Sequence, residues 1–154
     1  MKVLMFSVLY LFLFQFSGLL AQTKNPAVDD SCLVVITRVI DGDTYEFVFD
    51  STSYKVRLVG IDCFEIHKNN RLKKQAKEAG IDIDSAFALG LRALEFVKMK
   101  IENKEVLLLK EYSQPNFDIY GRLLREIWVD GYFLSDSLKT FCRKILKREK
   151  IYKR

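Results

Sequence analysis

Histidine occurs once in this chain of 154 residues, tryptophan once, proline twice and cysteine three times, and each scarcity removes a class of answer. A single imidazole, His67, excludes sites built on several histidines, and a lone loop histidine is in most proteins a bystander. With so little proline, and with no internal repeat or low-complexity tract, the chain has the composition of a globular domain rather than of a disordered tail. The cysteines, Cys32, Cys63 and Cys142, are odd in number, so at most one internal pair forms and a thiol is left over. The sequence leaves their pairing open. Acid is scarce at the C-terminus, where Lys139, Arg143, Lys144, Lys147, Arg148, Lys150, Lys153 and Arg154 face the single acid Glu149. A basic tail at 139–154 on a mildly acidic body suits a polyanion, either nucleic acid or an anionic membrane surface; a solvated helix face is the plainer reading.

What is abundant comes first at the N-terminus. Residues 1–21 carry Lys2, an apolar run broken only by Ser7, Gln15 and Ser17, and small residues ending at Ala21. That is the layout of a secretory signal peptide cleaved after Ala21, which makes the protein exported. The alternative is a retained anchor, because the run from residue 3 to 21 is nearly long enough to cross a bilayer. Residues 22–31, "QTKNPAVDDS", read as a linker, and 32–154 as one domain with room for a proper core.

Within that domain, "CLVVITRV" (32–39), "TYEFVF" (44–49) and "YKVRLVGI" (54–61) read as strands of a meander. Asp41-Gly42 joins the first pair and "DSTS" the second. Residues 68–80 are polar and basic, helical or loop-like, and end on a glycine. From Asp84 or Ser85 as N-cap, Phe87, Leu91, Leu94 and Ile101 recur at helical spacing and predict a helix over 85–102. "EVLLLK" (105–110) and "RLLREIWV" (122–129) predict two more strands, Asp130-Gly131 a turn, and Leu138, Phe141, Ile145 and Cys142 the apolar stripe of a final helix after Ser135. Five strands, with a helix between the third and fourth and another at the end, predict an α+β fold: an oligonucleotide-binding (OB-fold) type of five-stranded barrel with two to three helices.

Asp41-Gly42-Asp43-Thr44 alone is a common turn. "VRLVGIDCFEI" adds Arg57 inside an apolar strand and Asp62 and Glu65 where that strand ends. An arginine directed inward needs an anionic partner, since an unpaired buried charge is too costly. "DIYGRLLREIW" places Arg122 after Tyr120-Gly121 at the entry to another strand. Two arginines and three acids, all at strand ends or turns, suit a divalent cation plus a phosphate: hard oxygens hold calcium or magnesium, and guanidinium forks take phosphate oxygens in pairs.

Through "DGDT" (41–44), "VRLVGID" with Glu65 behind it (56–65) and "DIYGR" (118–122), in that order, the chain resembles the staphylococcal (thermonuclease-like) nuclease family over about residues 33–140. "VDGYFLSDSL" (129–138) is similar to the family's next hairpin and helix start. The resemblance implies a calcium-dependent phosphodiesterase that cleaves DNA and RNA and leaves 3′-phosphate ends. It implies Asp43 and Asp62 as carboxylate ligands of Ca2+, with the main-chain carbonyl of Cys63 beside them, Glu65 as general base, Arg57 and Arg122 on the scissile phosphate, and Tyr120 on the nucleotide. A monomer is expected, with a membrane partner only if the N-terminal segment is retained. The alternative is a non-catalytic nucleic-acid-binding barrel, against which stands the presence of all five catalytic and metal-ligating side chains. Where the family reads Asp-Thr-Pro-Glu this chain reads Asp62-Cys63-Phe64-Glu65, so a fixed φ is missing just before the proposed base. Ile119 stands where a basic residue is common, and the resemblance fades after Leu138.

Overall fold

The computed structural model describes residues 25–152, with side chains to residue 148, so the expected signal or anchor at 1–21 and the last basic residues of the tail lie outside the described residues. Strands β1 (Ser31–Val39), β2 (Thr44–Phe49) and β3 (Thr52–Leu58) form an antiparallel meander. Along β1, Cys32, Val34 and Ile36 point into the core while Leu33 and Val35 face out. A bulge between Ile36 and Arg38 then resets the alternation so that Val39 is buried. The turn from β2 to β3 is made by Asp50 and Ser51 at φ 47° and 60°, the left-handed pair whose twist matches the strands it joins.

β4 (Glu105–Lys110) pairs with β1 and with β5 (Leu123–Val129), and β5 also runs parallel beside β3. That parallel pairing closes the five strands into the expected barrel. A two-residue strand, β6 (Tyr132–Phe133), folds back on β5 through Asp130-Gly131.

Among the described residues, three helices cover the barrel. α1 (Asn70–Ala79) settles the open reading of 68–80 as helix: Asn69 caps it by accepting from the Leu72 amide, Gly80 closes it at φ 68°, and Leu72 and Ala76 bury one face against Phe64 and Phe87. α2 (Ile83–Ile101) is capped by Asp82 rather than by Asp84 or Ser85, its carboxylate accepting from the Ser85 amide. Of the expected stripe, Ile101 is buried and Leu94 and Phe87 pack partly buried, but the centre of the buried face lies elsewhere. Leu89, Gly90, Ala93 and Val97 meet the core, and Leu91 faces outward. The small residues of that face let the helix approach the barrel, a preference that a count of large apolar residues misses.

α3 (Leu134–Tyr152) buries Leu138 and Ile145 as expected, stacks Phe141 on Phe96 with ring centroids 4.3 Å apart, and exposes Arg143, Lys144, Lys147 and Arg148. Residues 25–30 lie along the barrel. Pro26 and Ala27 offer carbonyls to the Arg125 and Asn116 side chains. Arg125 is fully buried in the β5 register among Leu123, Ile127 and Val129, and desolvation pulls its pKa below the usual value.

Candidate active site

The turn from β1 to β2, the end of β3, the loop to α1 and the loop before β5 meet at one end of the barrel. In the first, Asp43 donates its amide to the Asp41 carboxylate, and the Ile40 and Asp41 amides both bond the Thr44 carbonyl. Gly42 is required there by space and not by a left-handed φ. An added Cβ would lie 2.7 Å from the Cys63 Sγ, so the turn rests directly on the loop after β3.

Thr44 pairs with Arg57 across β2 and β3, which brings the guanidinium to the turn. Its fork grips two acids: Nη1 lies 2.5 Å from Asp43 Oδ1 and Nη2 2.6 Å from Asp62 Oδ1. The second oxygen of Asp43 accepts from the Cys63 amide at 2.7 Å. Arg57 alternates with the buried Val56 and Leu58 and so leaves the strand on the face away from the barrel core, where it is half-buried and still meets two anionic partners. Burial pulls its pKa down, but the charges of Asp43 and Asp62 prevail and hold it above the usual value.

The two acids respond in opposite directions. Burial, then the neighbouring charge of Asp41, pushes the Asp43 carboxyl up to about 7 against the pull of Arg57 and the Cys63 amide. Asp62 lies below its ordinary value, because hydrogen bonds from Arg57 and Gln75 and the charge of Arg71 outweigh its desolvation.

Glu65 joins the same cluster through Arg71. The Arg71 guanidinium places Nη2 2.7 Å from Asp62 Oδ1 and Nε 3.1 Å from Glu65 Oε1. Arg122 joins from the other side: Nη1 donates to Thr44 Oγ1 at 3.2 Å, and that hydroxyl donates to Asp43 Oδ1 at 3.3 Å. Asp118 holds Arg122 in place with 2.6 Å bonds to Nε and Nη2, and accepts the Tyr120 and Arg122 amides on its other oxygen. Asp43, Arg57, Asp62, Glu65 and Arg122 are thus linked in one network. Tyr120 is exposed and lays its ring beside the Arg122 guanidinium, 5.3 Å from the centroid, while Ile119 points into solvent. The Cys63 carbonyl accepts from Gln75 Nε2 at 2.8 Å, which leaves one of its two lone pairs. The Cys63 thiol is buried, turned toward Cys142, and raised by that hydrogen bond and by burial; both thiols line a cavity of about 220 Å³ under α3.

Arg71, Gln75, Asn69 and Asp118 are the participants that sequence reasoning missed. The signal for the first two was present, since Arg71 and Gln75 stand four residues apart after a capping Asn69 and share a helix face. Among the described residues no three His, Cys, Asp or Glu side chains cluster closely enough to hold a metal by themselves. The donor set still fits a hard divalent cation. Asp43 and Asp62 stand on one guanidinium, the surroundings of Asp43 favour added positive charge, and calcium completes its shell with carbonyls and water.

The loop carrying Glu65 also depends on α2. A Cβ at Gly90 would meet the Phe64 carbonyl oxygen at 2.6 Å and that of Glu65 at 2.9 Å. Alanine in a helix ordinarily gains about 1 kcal/mol over glycine. Here overpacking against backbone costs roughly 1–3 kcal/mol, so Gly90→Ala is expected to lower stability in a urea titration. A stabilised variant would show that the loop yields freely.

Two kinds of comparison bear on the family. A family model described as staphylococcal nuclease homologue matches residues 55–148. The chain is 30% identical over 118 residues to a thermonuclease of Staphylococcus intermedius and 29% identical over 119 residues to a thermonuclease of Staphylococcus hyicus, covering 77% of this chain and 60% and 59% of theirs. It is also 31% identical over 115 residues to an uncharacterized protein of Methanocaldococcus jannaschii, covering 73% of this chain and 54% of that one. The chain thus spans a little over half the length of these relatives.

Proposed function

Since this chain belongs to the family of staphylococcal nuclease homologues, we propose that it is an exported, calcium-dependent nuclease that hydrolyses phosphodiester bonds of DNA and RNA and leaves 3′-phosphate ends. The observation that carries this reading is the single network joining Asp43, Arg57, Asp62, Glu65 and Arg122 at one end of the barrel.

In-line attack on a phosphodiester builds negative charge on the non-bridging oxygens and the leaving 5′ oxygen while the incoming water loses a proton. Arg57 and Arg122 each have N–H donors beyond those engaged by carboxylates, and these grip the phosphate and oppose the charge. Such positioned donors contribute on the order of 10²- to 10³-fold each. Glu65, half-buried and directed by Arg71 and Asn69, accepts the water's proton at a carboxylate oxygen. Tyr120, exposed beside Arg122, offers its ring to the nucleotide. The residues to hold Ca2+ are Asp43 and Asp62 with the Cys63 carbonyl, and the ion supplies Lewis-acid stabilisation of the developing charge.

Incubation of purified protein with plasmid DNA and with RNA, in calcium and in excess chelator, tests this reading. Cleavage in calcium, its loss in chelator and 3′-phosphate termini are expected. Tight binding of polynucleotide without cleavage in calcium would favour the non-catalytic barrel. N-terminal sequencing of the exported product is expected to begin at Gln22; a chain starting at Met1 and held in the membrane would overturn cleavage of the signal.

A further inference from the structure

Residues 61–65, which carry Asp62 and Glu65, form no regular secondary structure and contain no proline to fix them. One side chain from α1 reaches all along this segment. Gln75 accepts the Glu65 amide on Oε1 at 3.0 Å, and its Nε2 donates to the Cys63 carbonyl at 2.8 Å and to Asp62 Oδ2 at 3.2 Å. One turn earlier on the same face, Arg71 bridges Asp62 and Glu65, and Nδ2 of the capping Asn69 donates to Glu65 Oε2 at 3.4 Å. α1 has its own small core through Leu72 and Ala76, so this polar face is held by a packed helix and not by a loop.

We propose that Gln75 is a positioning residue of the nuclease site, supported by Arg71: these two side chains on one face of α1, with Asn69 at its N-cap, set the backbone of residues 62–65 and thereby the reach of Asp62 and Glu65. The proposal rests on the nuclease reading for its catalytic consequence and on hydrogen bonding alone for its structural one. A general base must stand within hydrogen-bond reach of the proton it takes, and a displacement of about 1 Å can cost 10²-fold. The Gln75 side chain bonds the Glu65 amide, the Cys63 carbonyl and Asp62, so it acts through these residues and its effect falls on turnover. Outer partners of this kind typically govern ligand affinity and activity by about 10- to 100-fold.

The test compares wild type with Gln75→Leu, which keeps the shape and removes every bond, and with Gln75→Glu, which retains an acceptor for the Glu65 amide but sets a carboxylate against Asp62. Amide hydrogen exchange is followed residue by residue in chelator, and steady-state hydrolysis is measured in calcium. In Gln75→Leu the Glu65 amide is expected to exchange at least tenfold faster while the barrel amides keep their protection. Turnover is expected to fall roughly 10- to 100-fold with KM within about twofold. Gln75→Glu is expected to keep much of the Glu65 protection yet bind calcium more weakly by calorimetry. Unchanged Glu65 exchange and unchanged turnover in Gln75→Leu would overturn the proposal. So would a general loss of protection with kcat and KM altered together, which marks a part of the fold alone. A wild type that cleaves nothing would sink the nuclease reading, while the exchange data would still decide whether Gln75 fixes the loop.

Discussion

Arg57→Ala is expected to reduce turnover about 10³-fold and to destabilise the fold by about 3 kcal/mol. The first figure follows from removing a guanidinium that grips the transferring phosphate. The second follows from what the side chain leaves behind. Asp43 is 3% exposed, and burial and Asp41 raise its carboxyl even with Arg57 2.5 Å away. Deleting one partner of a buried pair leaves the Asp43 carboxyl either a stranded charge or protonated, and both states lose the pair. Urea unfolding measures the stability, and kcat is compared where both proteins are fully folded. An Arg57→Ala variant with near-wild-type turnover would remove the arginine from the mechanism. One with unchanged stability would show that Asp43 finds another partner.

Glu65→Gln separates chemistry from stability. Glutamine preserves the shape and can still accept from Arg71 and Asn69, but it takes up no proton at neutral pH. Turnover is expected to fall by about 10²- to 10⁴-fold, with KM and melting temperature nearly unchanged, because Glu65 is only half-buried and its partners keep an acceptor. Activity within tenfold of wild type would assign the base elsewhere.

The barrel was legible because its strands read as short apolar or alternating runs and three of the connections carry turn residues. The "DSTS" turn between β2 and β3 and the Asp130-Gly131 turn lie where the sequence placed them. The five residues that the resemblance singled out, Asp43, Arg57, Asp62, Glu65 and Arg122, lie together because strand ends and turns of a barrel converge. What escaped depends on contacts between elements distant in sequence. In α1 the apolar period rests on Leu72 and two small residues, Ala76 and Ala79, so a mostly charged segment read as helix or loop, and its role against Asp62 and Glu65 stayed hidden. The small-residue face of α2 was masked by the larger Leu91 and Leu94. Arg125 sits in the inward parity of β5, between Leu123 and Ile127, and is satisfied there by backbone carbonyls of Pro26 and Leu124, the first of which lies far away in the sequence. Gly42 read only as a turn residue, whereas its constraint is the Cys63 side chain pressed against it.

Joint action of these side chains on one phosphate is tested most directly by a double-mutant cycle: turnover of a defined DNA strand in calcium by wild type, Arg57→Ala, Glu65→Gln and the double variant. Groups that serve the same transition state lose their separate value once either is gone, so the double variant is expected to be impaired far less than the product of the two single losses. Losses that multiply fully, or a single variant that retains wild-type turnover, would contradict a shared site.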